Sequence, residues 1–421
     1  MRFRTHISRD RVLIAVLLFV AASFQSRAEL FTKYGKWFNV GPNPCSIAAA
    51  DLNGDGLPEI VTADRGSMTN PREERPANDE LSYLESQGNL EYLPKPPLKA
   101  GFAPYAVVLA NIDALKALDI VTVCFHEPPS RRRHLTLFRN LGEEGFEALN
   151  YAVPETDLQY HRILDNDGVP IYTVPGLTSL TVRDFNRDGY RDVVATGWSS
   201  DVLVYFPGDK TSYFGAPVMF PCEGGPRDVQ AADFDGDGEL DLAVALYSSG
   251  DLAFFRGDGK GGFAEATRIP SRGPLPLRLV ARDMNGDDKT DLVVAHCFTS
   301  DSVVVFYGDG GFSFSVTQEV EVGKENNRAV VEHEIRDLVV EDFNGDNKVD
   351  MAVACRASRQ VVVFSNQSAP SASRLSFGRE EYPYKDAQPY ALCSADFNAD
   401  EKPDLAVTLW GPNAVALLLG K

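Results

Sequence analysis

Short apolar runs of four to seven residues recur along the chain, with turn residues between them. Runs at 47–50 and 229–232 precede acidic stretches, and runs at 242–246 and 292–295 follow such stretches. A third run, as at 302–307, completes most units, and a Gly-rich turn such as 257–263 leads to a fourth run. Pieces of this length that are rich in β-branched residues and bounded by turns predict strands. The pattern therefore predicts a repeating unit of four strands.

The acidic stretches share one pattern, D-x-[DN]-x-D-x-x-x-[DE], which occurs in seven copies, the second of them incomplete. The copies are 51–59, 111–119, 184–192, 233–241, 283–291, 342–350 and 396–404, and their starts lie 49 to 73 residues apart. Seven units of four strands predict an all-β fold, a seven-bladed β-propeller of four-stranded blades. Radial stacking lets each blade cover a face of its neighbour, which a single four-stranded sheet cannot do for itself.

The two ends of the chain predict how the ring closes. The last copy supplies only three apolar runs, at 391–395, 405–409 and 414–419, whereas one run at 30–40 precedes the first unit. We therefore expect the N-terminal run to be the outer strand of the last blade, which removes an exposed sheet edge. Residues 29–421 are predicted to be a single propeller domain.

The first 28 residues have the layout of a secretory signal peptide. Arg2, Arg4, Arg9 and Arg11 precede an apolar stretch at 12–24, and a small-residue cleavage site ends at Ala28. A membrane anchor is the alternative, but this stretch is shorter than the roughly 20 residues that a membrane-spanning helix needs. We therefore expect a secreted, periplasmic or cell-surface protein whose mature chain has no membrane span.

The composition narrows the possible partners. The chain has 44% hydrophobic residues, which excludes a disordered protein, and 34 Gly with 26 Pro, which is typical of a turn-rich fold. Lys+Arg 41 against Asp+Glu 60 gives a net charge of −19. So acidic a chain repels phosphate backbones, and we expect no nucleic-acid partner.

The acidic loops have the donor pattern of a hard-cation site. Side-chain oxygens at positions 1, 3, 5 and 9, with a backbone carbonyl at position 7, suit Ca²⁺, whereas Mg²⁺ prefers to retain waters. The alternative is that Asx-rich turns only cap hairpins. The second copy lacks acids at positions 1 and 5 (Asn111, Leu115), so we expect up to six calcium ions and none there. The predicted ligands are Asp51, Asn53, Asp55, Leu57 and Glu59; Asp184, Asn186, Asp188, Tyr190 and Asp192; Asp233, Asp235, Asp237, Glu239 and Asp241; Asp283, Asn285, Asp287, Lys289 and Asp291; Asp342, Asn344, Asp346, Lys348 and Asp350; and Asp396, Asn398, Asp400, Lys402 and Asp404.

The repeated unit, as at 233–241 followed by 257–263, resembles the FG-GAP or VCBS repeat of integrin α-subunits and exported bacterial proteins. The resemblance covers nearly all of residues 30–421. It implies a seven-bladed propeller with calcium in the loops between the first and second strands, on the bottom face. Such propellers include adhesion domains, lectins and some polysaccharide lyases, so the resemblance specifies the fold better than the activity.

The opposite, top face is the predicted binding surface because long insertions fall there, at 66–80, 127–134, 154–176 and 323–334. Six residues past position 9, each blade has one equivalent residue, and these are Arg65, Phe125, Trp198, Tyr247, Cys297, Arg356 and Trp410. Of these, Arg65, Trp198, Tyr247, Arg356 and Trp410 are candidate ligand-binding residues, because aromatic faces stack on sugars and Arg binds carboxylate or sulfate. The alternative is that these side chains pack between blades.

The charged residues at the starts of the inner strands, near the central channel, also have two interpretations. Arg227, Asp228, Arg278, Arg336 and Asp337 either contact a partner or form salt bridges with one another.

Signatures of an enzyme are scarce, since the sequence has no H-E-x-x-H, G-x-S-x-G or Walker motif. The favoured function is a monomeric, non-catalytic module that binds a glycan or a cell-surface protein. The alternative is a polysaccharide lyase on the same scaffold, with groups drawn from His126, His161, His296, Tyr247 and Arg356. Six cysteines, Cys45, Cys124, Cys222, Cys297, Cys355 and Cys393, permit disulfides but equally suit buried core positions.

Overall fold

The computed structural model describes residues 29–66, 78–113, 115, 117–125, 133–154, 175–297, 302–323 and 333–421. The strands of the first half are β1 (Phe31–Asn39), β2 (Pro44–Ala50), β3 (Glu59–Asp64), β4 (Glu80–Ser86), β5 (Tyr92–Pro94), β6 (Leu98–Lys99), β7 (Pro104–Ala110), β8 (Asp119–Cys124), β9 (Leu135–Asn140), β10 (Phe146–Tyr151), β11 (Leu177–Arg183), β12 (Asp192–Gly197), β13 (Val202–Phe206), β14 (Gly208–Asp209), β15 (Tyr213–Phe214) and β16 (Val218–Pro221). Short 3₁₀ helices lie at Gly142–Glu144 and Trp198–Ser200.

The second half continues the same repeat. Its strands are β17 (Pro226–Ala232), β18 (Asp241–Leu246), β19 (Asp251–Gly257), β20 (Phe263–Pro270), β21 (Pro276–Arg282), β22 (Asp291–His296), β23 (Ser302–Tyr307), β24 (Val316–Glu321), β25 (Ile335–Glu341), β26 (Asp350–Cys355), β27 (Gln360–Asn366), β28 (Phe377–Pro383), β29 (Gln388–Ala395), β30 (Asp404–Trp410) and β31 (Ala414–Gly420).

These strands form a seven-bladed β-propeller of antiparallel blades, which confirms the predicted fold class. Blades 2, 4, 5 and 6 each use four consecutive strands, starting at β7, β17, β21 and β25. In blade 1 both β5 and β6 pair with β4, and in blade 3 the small hairpin β14–β15 interrupts the chain before the outer strand β16. The sequence pattern did not predict that hairpin. The innermost strands contact one another in chain order, and β29 meets β2 to complete the circle.

The core consists of layers between neighbouring blades. Every residue of the second strand is buried in blades 1 to 6, and all but the last residue of β30 in blade 7. The side chains of each such strand pack alternately against the blades on either side, as Val293 and Val294 do with blades 6 and 4. Position 2 of each acidic loop adds a further buried apolar side chain, such as Phe234 against Phe254 with ring centroids 5.4 Å apart. The apolar side chains of each blade are therefore buried only when both neighbouring blades of the ring are in place.

The N-terminal strand closes that ring as predicted. β1 pairs with β31 antiparallel, from Phe31 opposite Gly420 to Asn39 opposite Ala414. Phe31 is fully buried, with its ring edge-on to Phe343 of blade 6 at 5.3 Å. Phe38 packs on Tyr92 of blade 1 at 5.0 Å. β1 therefore joins blade 7 to both of its neighbours.

Several predicted features lie outside the described residues. They are the signal peptide at 1–28 with its cleavage site at Ala28, most of the four long insertions, and His126 and His161. In the part of the chain that the structure describes, no helix has the length and apolar character needed to span a bilayer.

Candidate functional site

The six complete acidic loops share one backbone conformation. In each of them the N–H of position 6 donates to the carboxylate at position 1, and the residue at position 6 has a positive φ between 61° and 89°. The N–H of position 5 donates to the side-chain oxygen at position 3, and the N–H of position 7 to the carboxylate at position 5. These bonds, which are 2.7 to 3.1 Å long, hold the side chains at positions 1, 3 and 5 against the backbone of the loop.

Two observations test whether these residues suit a cation. Ligand oxygens of Asp233, Asp235 and Asp237 lie within 4.8 Å of one another in blade 4. In blade 3, Oδ1 of Asp184 is buried and has no hydrogen-bond donor among the described residues. A buried carboxylate oxygen without a donor is costly unless a cation accompanies it. The donor set, which consists of oxygens alone, fits the hard cation that the sequence predicts.

The carboxylate at position 9 has a second, structural role in every blade. Asp241 is fully buried and accepts hydrogen bonds from the N–H of Phe234, at 2.9 Å, and from the N–H of Gly257, at 3.0 Å. It thereby joins the loop to the end of the third strand. Burial raises the pKa of Asp241, Asp291 and Asp404 to about 6, and that of Asp350 to about 7. Nothing in the loop motif itself reveals this second role.

Asp119 allows that structural role to be measured in blade 2, where we expect no ion. It accepts from the N–H of Ile112, at 2.8 Å, and of Asn140, at 2.9 Å. We expect Asp119→Ala to lower the free energy of unfolding by about 2–5 kcal/mol, because two buried N–H groups lose their acceptor. Urea denaturation with and without a chelator measures the loss, which should be the same in both. Asp209→Ala is the matched control because this exposed carboxylate also accepts backbone N–H groups. If Asp119→Ala cost no more than the control, the structural role would be wrong.

In blade 2 an arginine supplies positive charge to the acidic loop. Arg139 contacts Asp113, at position 3 of the loop, with Nη2 at 3.2 Å from Oδ2, and its guanidinium lies 4.4 Å from the ring centroid of Tyr213. Arg256 occupies the equivalent place in blade 4 and contacts Asp235 at 2.5 Å. These two loops have Asp at position 3, whereas the other five have Asn. Each arginine therefore compensates the carboxylate at position 3 of its loop.

On the opposite face, a β-bulge in each inner strand aims one side chain at the mouth of the central channel. The register shifts near the start of all seven inner strands. Bulges characteristically redirect side chains in this way. The residues at the shift, named the bulge ring here, are Cys45, Tyr105, Thr178, Arg227, Leu277, Arg336 and Tyr390. All of them line one small cavity of about 30 Å³.

The residues predicted six places past position 9, named the strand-end ring here, surround the bulge ring. In blades 1 to 6 the residue before the inner strand has a positive φ, and its carbonyl accepts the N–H of the strand-end residue at 2.9 to 3.3 Å. The pairs are Asn43 with Arg65, Ala103 with Phe125, Gly176 with Trp198, Gly225 with Tyr247, Leu275 with Cys297, and Glu334 with Arg356. The backbone therefore fixes where each strand-end side chain begins.

The two rings interlock through arginine–aromatic contacts. The guanidinium of Arg65 lies 5.5 Å from the ring centroid of Tyr105 and 5.1 Å from that of Trp410. Arg227 lies 4.6 Å from Tyr105, 5.9 Å from Trp198 and 6.0 Å from Tyr247. The structure therefore brings residues from several blades into one cluster.

The side chains of Trp410 and Arg356 use part of their surface for contacts within the propeller. Trp410 stacks on Tyr390 at 4.2 Å and donates its Nε1–H to the carbonyl of Pro44 at 2.8 Å. Arg356 lies 5.3 Å from the Trp410 ring, and its Nε donates to Glu334 at 2.8 Å. One face of the Trp410 ring is therefore covered by Tyr390, as the packing alternative expects.

Most of the charged residues at the starts of the inner strands form salt bridges, and one of them has no carboxylate partner among the described residues. Arg278 contacts Asp337 at 2.7 Å and Asp228 at 3.5 Å. Both carboxylates also accept backbone N–H groups of neighbouring blades, those of Leu392 and Leu279. Arg336 pairs with Glu334. Arg227, by contrast, has no carboxylate partner among the described residues.

Tyr105 has the most unusual environment of the cluster. Arg227 donates to its hydroxyl oxygen, and Arg65 also lies beside it. Burial alone would raise the pKa of this phenol, but the guanidinium groups of Arg227 and Arg65 outweigh burial and hold the pKa below its ordinary value. The sequence gives no signal for Tyr105, because the bulge that turns it inward is a property of the strand register.

His296 is not available on the top face, and the cysteines form no disulfides. His296 is fully buried, contacts Ser271 Oγ at 3.1 Å, and has its pKa lowered to about 4 by burial. The expectation that its ring is available on the top face is wrong, because it points into the blade. No disulfide joins the six cysteines, all of which are described; five are buried and Cys393 is half-buried. This favours the core alternative for them.

Comparisons with known proteins agree with this architecture. A family model described as FG-GAP-like repeat matches residues 184–244 and 234–294. A search of curated proteins finds no significant match. Among solved structures, BBS1N from its complex with ARL6DN is similar, with 14% identity, coverage of 93% of this chain and 98% of that chain, and a TM-score of 0.58.

Two further structures show the same likeness. A protein from Lactobacillus plantarum has 13% identity over 85% of this chain and 91% of its own, with a TM-score of 0.57. A candidate 6-phosphogluconolactonase from Bacteroides uniformis has 15% identity over 86% and 94%, with a TM-score of 0.53. At such identities the likeness concerns the fold alone. The chain is therefore a seven-bladed β-propeller in which residues 184–294 match FG-GAP-like repeats.

Proposed function

We propose that this protein is an exported, calcium-stabilised propeller that binds a glycan or a cell-surface protein through its top face without catalysis. The observation that carries the proposal is the convergence of arginine and aromatic side chains from six blades around one end of the channel. Trp198, Tyr247, Arg65, Arg356 and Trp410 are all half-buried there, so each retains some exposed surface. The cavity of about 30 Å³ that the bulge ring lines holds no more than water, so a ligand would lie across the mouth of the channel.

Calcium completes this proposal at the bottom face. The residues that would hold it are those at positions 1, 3, 5, 7 and 9 of the six complete loops, and the ion would neutralise their clustered carboxylates. In blade 2, positions 1 and 5 of the loop have no carboxylate, and the amide of Asn111 at position 1 donates to the Leu115 carbonyl. Export rests on the pattern of residues 1–28. We propose a monomer, with no nucleic-acid partner.

A carbohydrate-active enzyme is the second candidate, and Tyr105 is the observation that favours it. A phenol whose pKa is lowered by two arginines is a plausible proton-transfer group, and the arginines would neutralise a uronate carboxylate. However, Tyr105 is only 8% exposed, so substrate would have to reach a nearly covered hydroxyl. We therefore rank binding first.

Native affinity electrophoresis of the mature chain, with calcium present, tests the proposal. The gels contain neutral or anionic polysaccharides. We expect retardation in at least one gel with the polymer left intact. A cleared zone along the track would show that the protein depolymerises the polysaccharide, which would contradict the non-catalytic role and favour the enzyme. No retardation in any gel would contradict glycan binding and leave the cell-surface protein as the remaining ligand.

A further inference from the structure

The centre of the top face has arginines that the fold does not neutralise. Arg336 and Arg356 share Glu334, and Arg278 lies between Asp228 and Asp337. Arg65 and Arg227 have no carboxylate partner among the described residues. Asp64 adjoins Arg65 in sequence, yet its carboxylate accepts from Gly41 N, Thr62 Oγ1 and Ser82 Oγ instead. Both unneutralised arginines lie against the ring of Tyr105.

The same place has hydrogen-bond donors without acceptors. Nε of Arg65 and Nε1 of Trp198 are buried and find no acceptor among the described residues. The hydroxyl oxygen of Tyr105 accepts from Arg227, and no described acceptor takes its hydrogen. Arginine and tryptophan side chains can only donate. Unpaired buried donors are costly, so this group of donors suits an acceptor from outside the described residues.

We propose that Arg65 and Arg227, which both lie against the ring of Tyr105, form a binding site for an anionic oxygen group, a carboxylate or sulfate carried by an acidic glycan. The proposal rests on the proposed function of the top face and names its ligand class. Guanidinium groups bind such oxygens with charge-assisted hydrogen bonds. Trp198 and Tyr247, both half-buried beside Arg227, offer aromatic surface for the adjoining sugar ring.

The overall charge of −19 does not oppose this ligand, because the acidic loops lie at the other end of the ring. Charges separated by more than about 10 Å are largely screened at ordinary ionic strength. The cavity of about 30 Å³ that Tyr105 and Arg227 line admits water but no sugar ring, so the charged group of the ligand would lie at the mouth of that cavity, beside the two arginines. The polymer chain then lies across the mouth of the channel.

Matched polymers test the ligand class in affinity gels. Polygalacturonate is compared with its methyl ester, and dextran sulfate with dextran. A gel with polyglutamate tests whether an acidic peptide binds instead of an acidic glycan. We expect the charged glycan of at least one pair to retard the protein and its uncharged counterpart not to. Arg65→Gln and Arg227→Gln should each weaken that binding about tenfold or more, as loss of a charge-assisted hydrogen bond predicts. Arg268→Gln, which removes a charge from an outer strand of blade 4, should leave the binding unchanged.

Each result has a defined consequence. Arg227→Lys retains the charge and should recover part of the binding, and thermal melts of all variants show whether the fold is intact. Equal retardation by charged and uncharged polymers would overturn the anion site and leave glycan binding standing. Stronger binding of polyglutamate, or full binding by folded Arg65→Gln and Arg227→Gln variants, would also overturn the anion site. No retardation in any glycan gel would remove both this site and the glycan form of the proposed function.

Discussion

Deleting residues 29–40 is expected to abolish cooperative unfolding of the propeller. The deletion removes β1, and with it the antiparallel partner of β31 and the buried rings of Phe31 and Phe38. Loss of one buried Phe side chain costs about 3–5 kcal/mol, and a folded domain is stable by only about 5–15 kcal/mol. The exposed edge of β31, which is rich in Ala and Leu, should also promote association. Melting followed by circular dichroism, with size-exclusion chromatography, measures both effects.

The control is the chain that lacks residues 1–28 alone, which retains β1 and should melt sharply. A synthetic peptide of residues 29–40, added to the truncated protein, should restore a cooperative transition because β1 is held by pairing and burial. A truncated protein that melts as sharply as the parent, at the same temperature, would show that β1 does not close the ring.

Removing calcium is expected to have the second large effect. An ion that binds only the folded state stabilises it by about 2.7 kcal/mol when its concentration is 100 times its dissociation constant. With up to six sites, the melting temperature should fall markedly in a chelator and recover when Ca²⁺ is restored. Differential scanning calorimetry measures the shift, and isothermal titration measures the stoichiometry. Unchanged melting after exhaustive chelation would eliminate calcium as a stabilising ligand.

Two variants test which acidic loops bind calcium. Asp233→Asn combined with Asp237→Asn should reduce the stoichiometry by one ion, because it removes two of the three carboxylates that converge in blade 4. Asp113→Asn, in the blade 2 loop that lacks acids at positions 1 and 5, should leave the stoichiometry unchanged although it breaks a contact with Arg139. Equal loss of calcium in both variants would contradict the assignment of an ion-free second blade.

The pH dependence of the chelated protein has a predictable sign. The position-9 carboxylates Asp241, Asp291 and Asp404 have pKa values raised to about 6, and Asp350 to about 7. Their ordinary value is about 3.9 in the unfolded chain. Between these values the folded state binds more protons, so stability falls as pH rises through the window. The chelated protein should melt higher at pH 5 than at pH 7.5, and calcium should reduce that difference by neutralising the loops.

The seven-bladed ring could be predicted because its signals are local and repeated. Each loop of nine residues is contiguous in the chain, and the apolar runs beside it are strands of the predicted type. Ring closure could be predicted because the last unit has three apolar runs instead of four, and one additional apolar run precedes the first unit. The hairpin at β14–β15 was not predicted, because it is a short insertion that breaks the repeat.

The candidate top-face site was predictable only in part. Counting from position 9 finds Arg65, Trp198 and Tyr247 because the second strand has six residues in each of their blades. It does not find Tyr105 or Tyr390, since a bulge in the inner strand decides where those side chains point. Counting along the sequence also does not show that Arg336 and Arg356 share Glu334. It does not show that Arg227 lacks a carboxylate partner among the described residues.

The sequence by itself determined the blades, their number, the acidic loops and the strand that closes the ring, because each depends on residues close together in the chain. The tertiary structure alone decided which charges are neutralised, which rings are covered, and that His296 is buried. The sequence pattern does not show these contacts because the partners lie outside the repeated motif. Some partners come from different blades, as Arg278 does with Asp228 and Asp337, 50 and 59 residues away, and meet only when the ring has closed.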